Sequence, residues 1–398
     1  MLADLHCHYP MHLLAEEPRD VTLEGMVRVR RRSRWAQRLR AGVLALAARL
    51  LNFRRFGDTW RVDLDGLEEG EVGVVFSVLY QPFAEMDLDE WYAAPPEPGY
   101  FADLVDQLED VEAELAQIDP AGARHLIVRQ KADLEPAHRN GRVAFVHCVE
   151  GGFHLGSSPE AVRANVATLA GRGVRYITLA HLFWRQVATN APALPFLPDR
   201  LYGAIFPQPD GAGLSELGVA AVEAMYEAGI LVDVSHMRQD AIDDTFAVLE
   251  RLDRRAGAPP SAFPVIASHG AFRFGGQSYA FDADVVQRIA GRDGVVGLIL
   301  AQHQLNDGVR RRHTTDLGES VEVICRHVDA IRDATGSYAH VAIGSDLDGF
   351  IKPTMGGLET ASDLGRLHPA LVDRYGEEAA RLILHRNVER VLGRILPG

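Results

Sequence analysis

Eight short apolar runs rich in β-branched residues, separated by stretches with helical periodicity, limit what this chain can fold into. They fall at Leu2–His8, Val72–Leu79, Val143–Val149, Tyr176–Leu179, Ile230–Val234, Pro264–Ala267, Val295–Leu300 and Val341–Ile343. Their near-continuous apolar character suits parallel strands covered on both faces. Between them, Pro98–Ile118 carries Phe101, Leu104, Val105, Leu108 and Leu115, and Ser158-Pro159 supplies a cap and a first-turn proline for a helix through Ala170. Further helices are expected from Leu214-Ser215-Glu216 to Ala228, at Gln239–Arg254, at Ser320–Ala334 and at Leu371–Leu392. Eight strands alternating with helices predict an α/β fold, a (β/α)8 TIM-type barrel. A doubly wound open sheet shares the alternation, but no G-x-G-x-x-G follows a strand. One domain is expected over 1–398, with a helical insertion at 19–70 and a C-terminal helix at 371–398 packing on the barrel. The proline-rich stretch Ala191–Gly213 reads as a long loop, the usual place for a lid.

The formal charge of −14 excludes nucleic acid as a general partner, because the phosphate backbone needs a basic surface. Cys7, Cys148 and Cys325 are too few for a disulfide framework, which points to a reducing compartment. No secretory signal is visible, and the longest early apolar stretch, Ala41–Ala48, falls far below the ~20 residues of a spanning helix. The protein is therefore read as cytoplasmic. One segment departs from the acidic average: Arg19–Arg55 holds eleven arginines against Asp20 and Glu24, a net charge of about +9. Its apolar residues Val43, Leu44, Leu46, Ala47, Leu50 and Leu51 recur at helical spacing. Such a segment can dock on an anionic membrane surface or a partner. It can also pack on the barrel with its arginines solvated, and this plainer reading is preferred.

The polar residues fall at the strand ends. Strand one ends in His6 and His8, which share a face because strand side chains alternate. Strand three ends in Glu150, strand four in His181, strand five in His236, strand six in His269, and strand eight in Gly344-Ser345-Asp346-Leu347-Asp348-Gly349. In a barrel these carboxyl ends meet at one mouth, where active sites are built. Taken singly, a histidine at a strand end is more often a loop hydrogen-bonder than a ligand, and Asp346 and Asp348 can simply order a turn beside glycine. Together they point to a metal-dependent active site. His303, just past strand seven, faces the same mouth and is a candidate for substrate contact. His125, His138, His313, His327, His340, His368 and His385 have no such placement and are read as structural.

With these motifs the chain resembles the renal or membrane dipeptidase family, binuclear zinc peptidases within the amidohydrolase superfamily of barrels. The matching stretches are Glu150-Gly151-Gly152, Gly173–His181, Gly229–His236, Ala267-Ser268-His269, Gly344–Gly349 and Asn387–Gly393, in the family's order over nearly the whole chain. The resemblance implies two zinc ions per chain, one held by His6 and His8, the other by His236 and His269, with Glu150 bridging. It implies a hydroxide shared by the two ions as the nucleophile, whose pKa falls toward neutrality when metal-bound. His181 would stabilise the oxyanion at the substrate carbonyl, and Asp346 would pass the hydroxide proton to the leaving amine. No serine or cysteine nucleophile is needed, which leaves Cys7 and Cys148 as packing residues.

Two positions depart from the family. It has aspartate where this chain has His8, and a neutral imidazole leaves the metal pair one unit more positive. Its arginine for the substrate's terminal carboxylate falls here at Ala280 or Tyr279, with Arg273, nearer the strand end, as the substitute. The expected activity is zinc-dependent hydrolysis of an amide in a small-molecule substrate, dipeptides first. A non-peptide amide, an N-acyl amino acid or a lactone is the alternative. A non-catalytic barrel would need neither His181 nor Asp346. Assembly as a homo-oligomer is left open.

Overall fold

The β-branched runs form strands where the sequence places them, and one short strand appears between them. The computed structural model describes residues 1–14, 59–86, 93–135, 139, 141–194, 197–349 and 353–398, with residues 35, 38, 39 and 42. The strands are β1 (Leu2–Cys7), β2 (Val72–Leu79), β3 (His125–Ile127), β4 (Val143–Glu150), β5 (Tyr176–Thr178), β6 (Leu231–Asp233), β7 (Val265–Gly270), β8 (Val295–Leu298) and β9 (Val341–Ile343). They pair in parallel in the order β1-β2-β4-β5-β6-β7-β8-β9, and Asp4↔Ile343 returns β9 to β1, which closes an eight-stranded barrel. The additional strand, β3, covers the first half of β4 (His125↔Val143) on the edge where three-residue β5 reaches only the second half (Glu150↔Thr178).

Alternate residues along the strands sort into two cores. Ala3, Leu5, Val74, Phe76, Ala144, Val146, Tyr176 and Leu231 pack inside the barrel, whereas Val72, Val75, Val143, Phe145, Ile177 and Val232 pack under the helices. Each fully buried valine, leucine, isoleucine or phenylalanine among them contributes roughly 1.5–3 kcal/mol. The alternation breaks on two strands. On β1 the chain advances from Asp4 to Cys7 while β2 advances only from Val75 to Ser77. This bulge leaves Leu5 inside and Cys7 outside, and turns His6 inward beside Tyr176. A second irregularity, between Ala267 and Gly270 of β7, carries His269. Bulges re-aim side chains in this way. Thus His6 and His8 share the mouth through a bulge, and His8 lies just past the strand, rather than through simple alternation.

The C-terminal segment is divided. Helix Leu367–Tyr375 stops at Gly376 (φ +81°), and Glu377–Arg381, a π-helical turn at Leu382–Arg386 and helix Asn387–Ile395 come after it. A positive φ with extended ψ, open to glycine alone, ends the first helix there. Val388, Val391 and Leu392 then pack against the inner core, and Asn387 Nδ2 donates to the carbonyls of Tyr338 and Val341 at 2.7 and 2.8 Å. Of the insertion expected at 19–70, the basic stretch lies outside the described residues apart from isolated positions. Toward the end of the stretch 19–70 lies helix Leu64–Glu69, capped by Asp63, which accepts from Gly66 N–H at 2.6 Å. Among the described residues no helix is long and apolar enough to cross a membrane. Cys7, Cys148 and Cys325 are buried and unbridged.

Candidate metal centre

Glu150 ends β4 at the centre of the mouth, fully buried, with no hydrogen-bond donor on either carboxylate oxygen. Oε1 lies 3.5 Å from His6 Nε2, 3.5 Å from His236 Nε2 and 3.6 Å from His269 Nε2. Oε2 lies 3.3 Å from His8 Nε2 and 3.2 Å from His181 Nε2. The imidazole nitrogens also face one another, His6 and His8 at 3.2 Å, His236 and His269 at 2.9 Å. Two ligand nitrogens on one tetrahedral zinc stand about 3.3 Å apart, from bonds of about 2.0–2.1 Å. A buried carboxylate without donors is stable only when a cation offsets its desolvation. The donor set therefore fits divalent metal.

Electrostatics point the same way. Burial works to raise the Glu150 carboxyl, but His181, His6 and His8 outweigh it and hold it well below the usual carboxylate range. Burial, with His269 adding, pushes His6 well below its ordinary value, and burial with His181 does the same to His236. Neutral imidazole is the form a metal requires. Burial pushes His8 down too, but the Asp346 and Glu150 carboxylates beside its Nε2 bring it up to about 10. The two carboxylates thus draw positive charge to this spot.

Ligand atoms converge within 4.8 Å of one another in three groups: His6, His8 and Glu150; Glu150, His181 and His236; and His6, Asp233 and His269. The first matches the expected pair. The second brings His181, expected at the substrate, within ligand distance of Glu150 and His236. Asp346 joins from the turn after β9, with Oδ1 3.2 Å from His8 Nε2 and 3.8 Å from His6 Nε2. Its backbone is left-handed (φ +58°), as is that of His236 (φ +63°). A non-glycine residue adopts that conformation at about 1–2 kcal/mol, and here both side chains enter the mouth. Asp346 N–H donates to the His6 carbonyl at 2.8 Å, so the turn is tied to β1. Asp348 faces away and accepts from the backbone N–H groups of Arg61 and Val62 at 3.0 Å, a structural role.

Outer partners orient the rings. Tyr176 Oη and Ser268 Oγ lie 2.8 and 3.0 Å from His6 Nδ1, and Ser268 Oγ lies 2.9 Å from His269 Nδ1. Asp233 fixes that serine, accepting from Ser268 N–H at 2.8 Å and Ser268 Oγ at 2.6 Å, and also from Ser235 Oγ at 2.8 Å and Thr178 Oγ1 at 2.5 Å. Gly297 and Gly344 press against the same residue: a Cβ would stand 2.0 and 1.9 Å from the Ser268 carbonyl oxygen. Asp4 accepts from Ser345 and from His6 N–H, and burial still pushes it up to about 7. His181 Nδ1 lies 2.6 Å from Glu85 Oε2.

Arg273 does not reach the mouth. Its guanidinium lies 3.4 Å from Asp282 and donates to the Ser278 carbonyl at 3.3 Å. Tyr279 takes the place instead, buried, its ring 5.0 Å from that of His236. His303 lines the cavity with His8, His181 and Asp346. Sequence reading missed Glu85, which sits on the short helix Pro82–Met86 with nothing in its surroundings to mark it. It also missed Asp4 and Asp233, although each is an acid inside an otherwise apolar strand, a signal that was available.

Comparisons with known proteins point to one family. The model of the membrane dipeptidase family (peptidase family M19) matches residues 2–396. The chain is similar to dipeptidase verJ of Clonostachys rogersoniana, 26% identical over 333 residues spanning 83% of this chain and 74% of that protein. It is similar to dipeptidase tcpJ of Claviceps purpurea, 25% identical over 339 residues, 83% of this chain and 68% of that protein. Its fold resembles that of dipeptidase AC, a family M19 metallo peptidase, with a TM-score of 0.65 at 20% identity, covering 92% of this chain and 97% of that one. It also resembles a metallo peptidase from Rhodobacter sphaeroides liganded with a phosphinate mimic of the dipeptide L-Ala-D-Ala, with a TM-score of 0.64 at 21% identity, covering 91% and 97%. The chain belongs to the membrane dipeptidase family, peptidase family M19, and is a metal-dependent hydrolase of that family.

Proposed function

We propose that the mouth holds two zinc ions and hydrolyses the amide bond of a dipeptide. Glu150 carries this proposal: a buried carboxylate without donors, with imidazole nitrogens beside both oxygens, is suited to bridging two cations. His6 and His8 would hold one ion and His236 and His269 the other. When bound, the pair supplies Lewis acidity to the amide carbonyl and acidifies a shared water toward neutrality, which makes hydroxide available as nucleophile.

The chain's own residues do the rest. His181, its Nδ1 held by Glu85, presents Nε2 to the carbonyl oxygen as that atom gains negative charge. Asp346 takes the proton of the attacking water and delivers it to the leaving amine. The dipeptide mimic liganded to the Rhodobacter sphaeroides peptidase supports the substrate class. Turnover of a dipeptide panel beside N-acyl amino acids, other small amides and lactones tests it. Dipeptide cleavage dependent on metal is the expected result. Cleavage of N-acyl amino acids or lactones alone would move the enzyme to the alternative substrate class.

A further inference from the structure

The space at the ligands is small. About 20 Å³ is enclosed by His8, His181, His236, Tyr279 and Asp346 with the residues at its exit. That is room for a water or two, so a substrate whose scissile carbonyl reaches His181 leaves most of its bulk outside. The exit leads to a second cavity of about 600 Å³, lined by Pro192, Leu194, Leu197, Arg200, Gln277 and Asp307 among others. This falls within the range of about 300–1,000 Å³ of small-molecule sites. Ala193, His303 and Gln304 line both cavities and form the passage between them.

The passage carries unspent hydrogen-bonding capacity. Both ring nitrogens of His303 and Oε1 of Gln304 are buried and have no partner among the described residues. Their backbone is held firmly: the His303 carbonyl accepts from Gln277 Nε2 at 2.7 Å, and Gln302 Nε2 donates to the carbonyls of Thr314 and Thr354 at 3.0 and 2.7 Å. Buried polar atoms left open on a pinned turn call for a ligand, since unsatisfied groups of this kind are rare. Burial, with His313 nearby, also pushes His303 down to about 3, so its ring is neutral, with one donor and one acceptor. A donor beside an acceptor complements an amide, which has both, better than a carboxylate, which only accepts.

We propose that His303 and Gln304 are the specificity-determining residues of this site and recognise a second amide group next to the scissile one. The inference rests on the dipeptidase reading and refines its substrate class: the preferred substrate is a dipeptide unit capped or extended by an amide, the cap lying in the outer cavity. The carbonyl of the second amide accepts from His303 N–H, and its N–H donates to Gln304 Oε1.

Steady-state kinetics on alanyl-alanine, its C-terminal amide and its N-acetyl derivative test this, using the zinc-loaded full chain and its His303→Phe and His303→Gln variants. At least one capped substrate is expected to match or exceed the free dipeptide in kcat/KM. For that substrate His303→Phe should raise KM about tenfold with kcat within about threefold, and His303→Gln, which keeps a donor and an acceptor, should restore most of the loss. The identity of the favoured capped form shows on which side of the scissile bond the passage lies. A free dipeptide at least tenfold better than both capped forms overturns the inference, as does a KM indifferent to His303→Phe. Should His303→Phe fail to fold, Gln304→Leu reads the same passage, and an unchanged KM there also overturns it. Inactivity of the zinc-loaded wild type on all three substrates instead counts against the dipeptidase reading, and this inference falls with it.

Discussion

His181 Nδ1 stands 2.6 Å from Oε2 of Glu85, an oxygen that also accepts the Tyr80 hydroxyl at 2.5 Å. The other Glu85 oxygen accepts Phe183 N–H at 3.0 Å, so the carboxylate is fixed from three sides. It keeps a proton on Nδ1, so that the protonated ring presents Nε2–H toward Glu150 and the mouth, its orientation fixed by an outer partner. Burial pushes His181 down, but Glu150 and Glu85 together raise it above its ordinary value. Replacing Glu85 by Gln should lower kcat roughly 10–100-fold with KM little changed and metal retained. The lost negative charge also lowers the His181 pKa, so the high-pH limb of kcat should move to lower pH. Rate–pH profiles of the two proteins check both points.

Under the proposed mechanism, His236 and Asp346 part metal binding from proton transfer. His236→Ala is expected to remove metal and activity together. Asp346→Asn keeps the shape and should retain metal while turnover falls by about 10²–10⁴-fold. Metal content and kcat of the two variants are the measurements, and near-normal turnover in Asp346→Asn removes that residue from the mechanism.

Ser268 supports two of the proposed ligands at once, with Oγ at 3.0 Å from His6 Nδ1 and 2.9 Å from His269 Nδ1. Ser268→Ala releases both rings and should weaken metal binding roughly 10–100-fold without unfolding the barrel. Competition against a chelator reads the change, and an unaltered affinity would show that packing alone orients the rings.

Two buried histidines outside the centre make the fold acid-sensitive. His327 accepts Phe272 N–H on Nδ1 at 3.1 Å and donates from Nε2 to the Leu305 carbonyl at 2.9 Å. His154 donates from Nδ1 to the Gly151 carbonyl at 2.8 Å and accepts Gln81 N–H at 3.2 Å. Each arrangement needs the neutral ring, and burial pushes both to about 4. The unfolded chain takes up these protons below its ordinary value of 6.5 and the folded chain does not. Stability is therefore complete above about pH 6.5 and declines toward pH 4, by at most ~3 kcal/mol per histidine. Denaturant titrations across this window should show the decline, and a shallower one in His327→Gln.

The barrel was legible because eight apolar runs kept a strand-like length and spacing, and because ligand-type residues gathered at their carboxyl ends. His6, His8, Glu150, His181, His236, His269 and Asp346 all meet at one mouth. What the sequence did not reveal depends on geometry without a period. The β1 bulge that turns His6 inward arises from register, which no local pattern records. Glu85 reaches His181 from a short helix with no motif of its own. Arg273 stands near the strand end in sequence, yet the loop turns it to Asp282, and only coordinates reveal that choice.

Elemental analysis of the purified protein shows whether the mouth binds two metal ions around Glu150. Two equivalents of zinc per chain, falling to one or none in Glu150→Ala, are expected. Less than one equivalent of any divalent metal in the wild type, with none taken up on reconstitution, would contradict that binding.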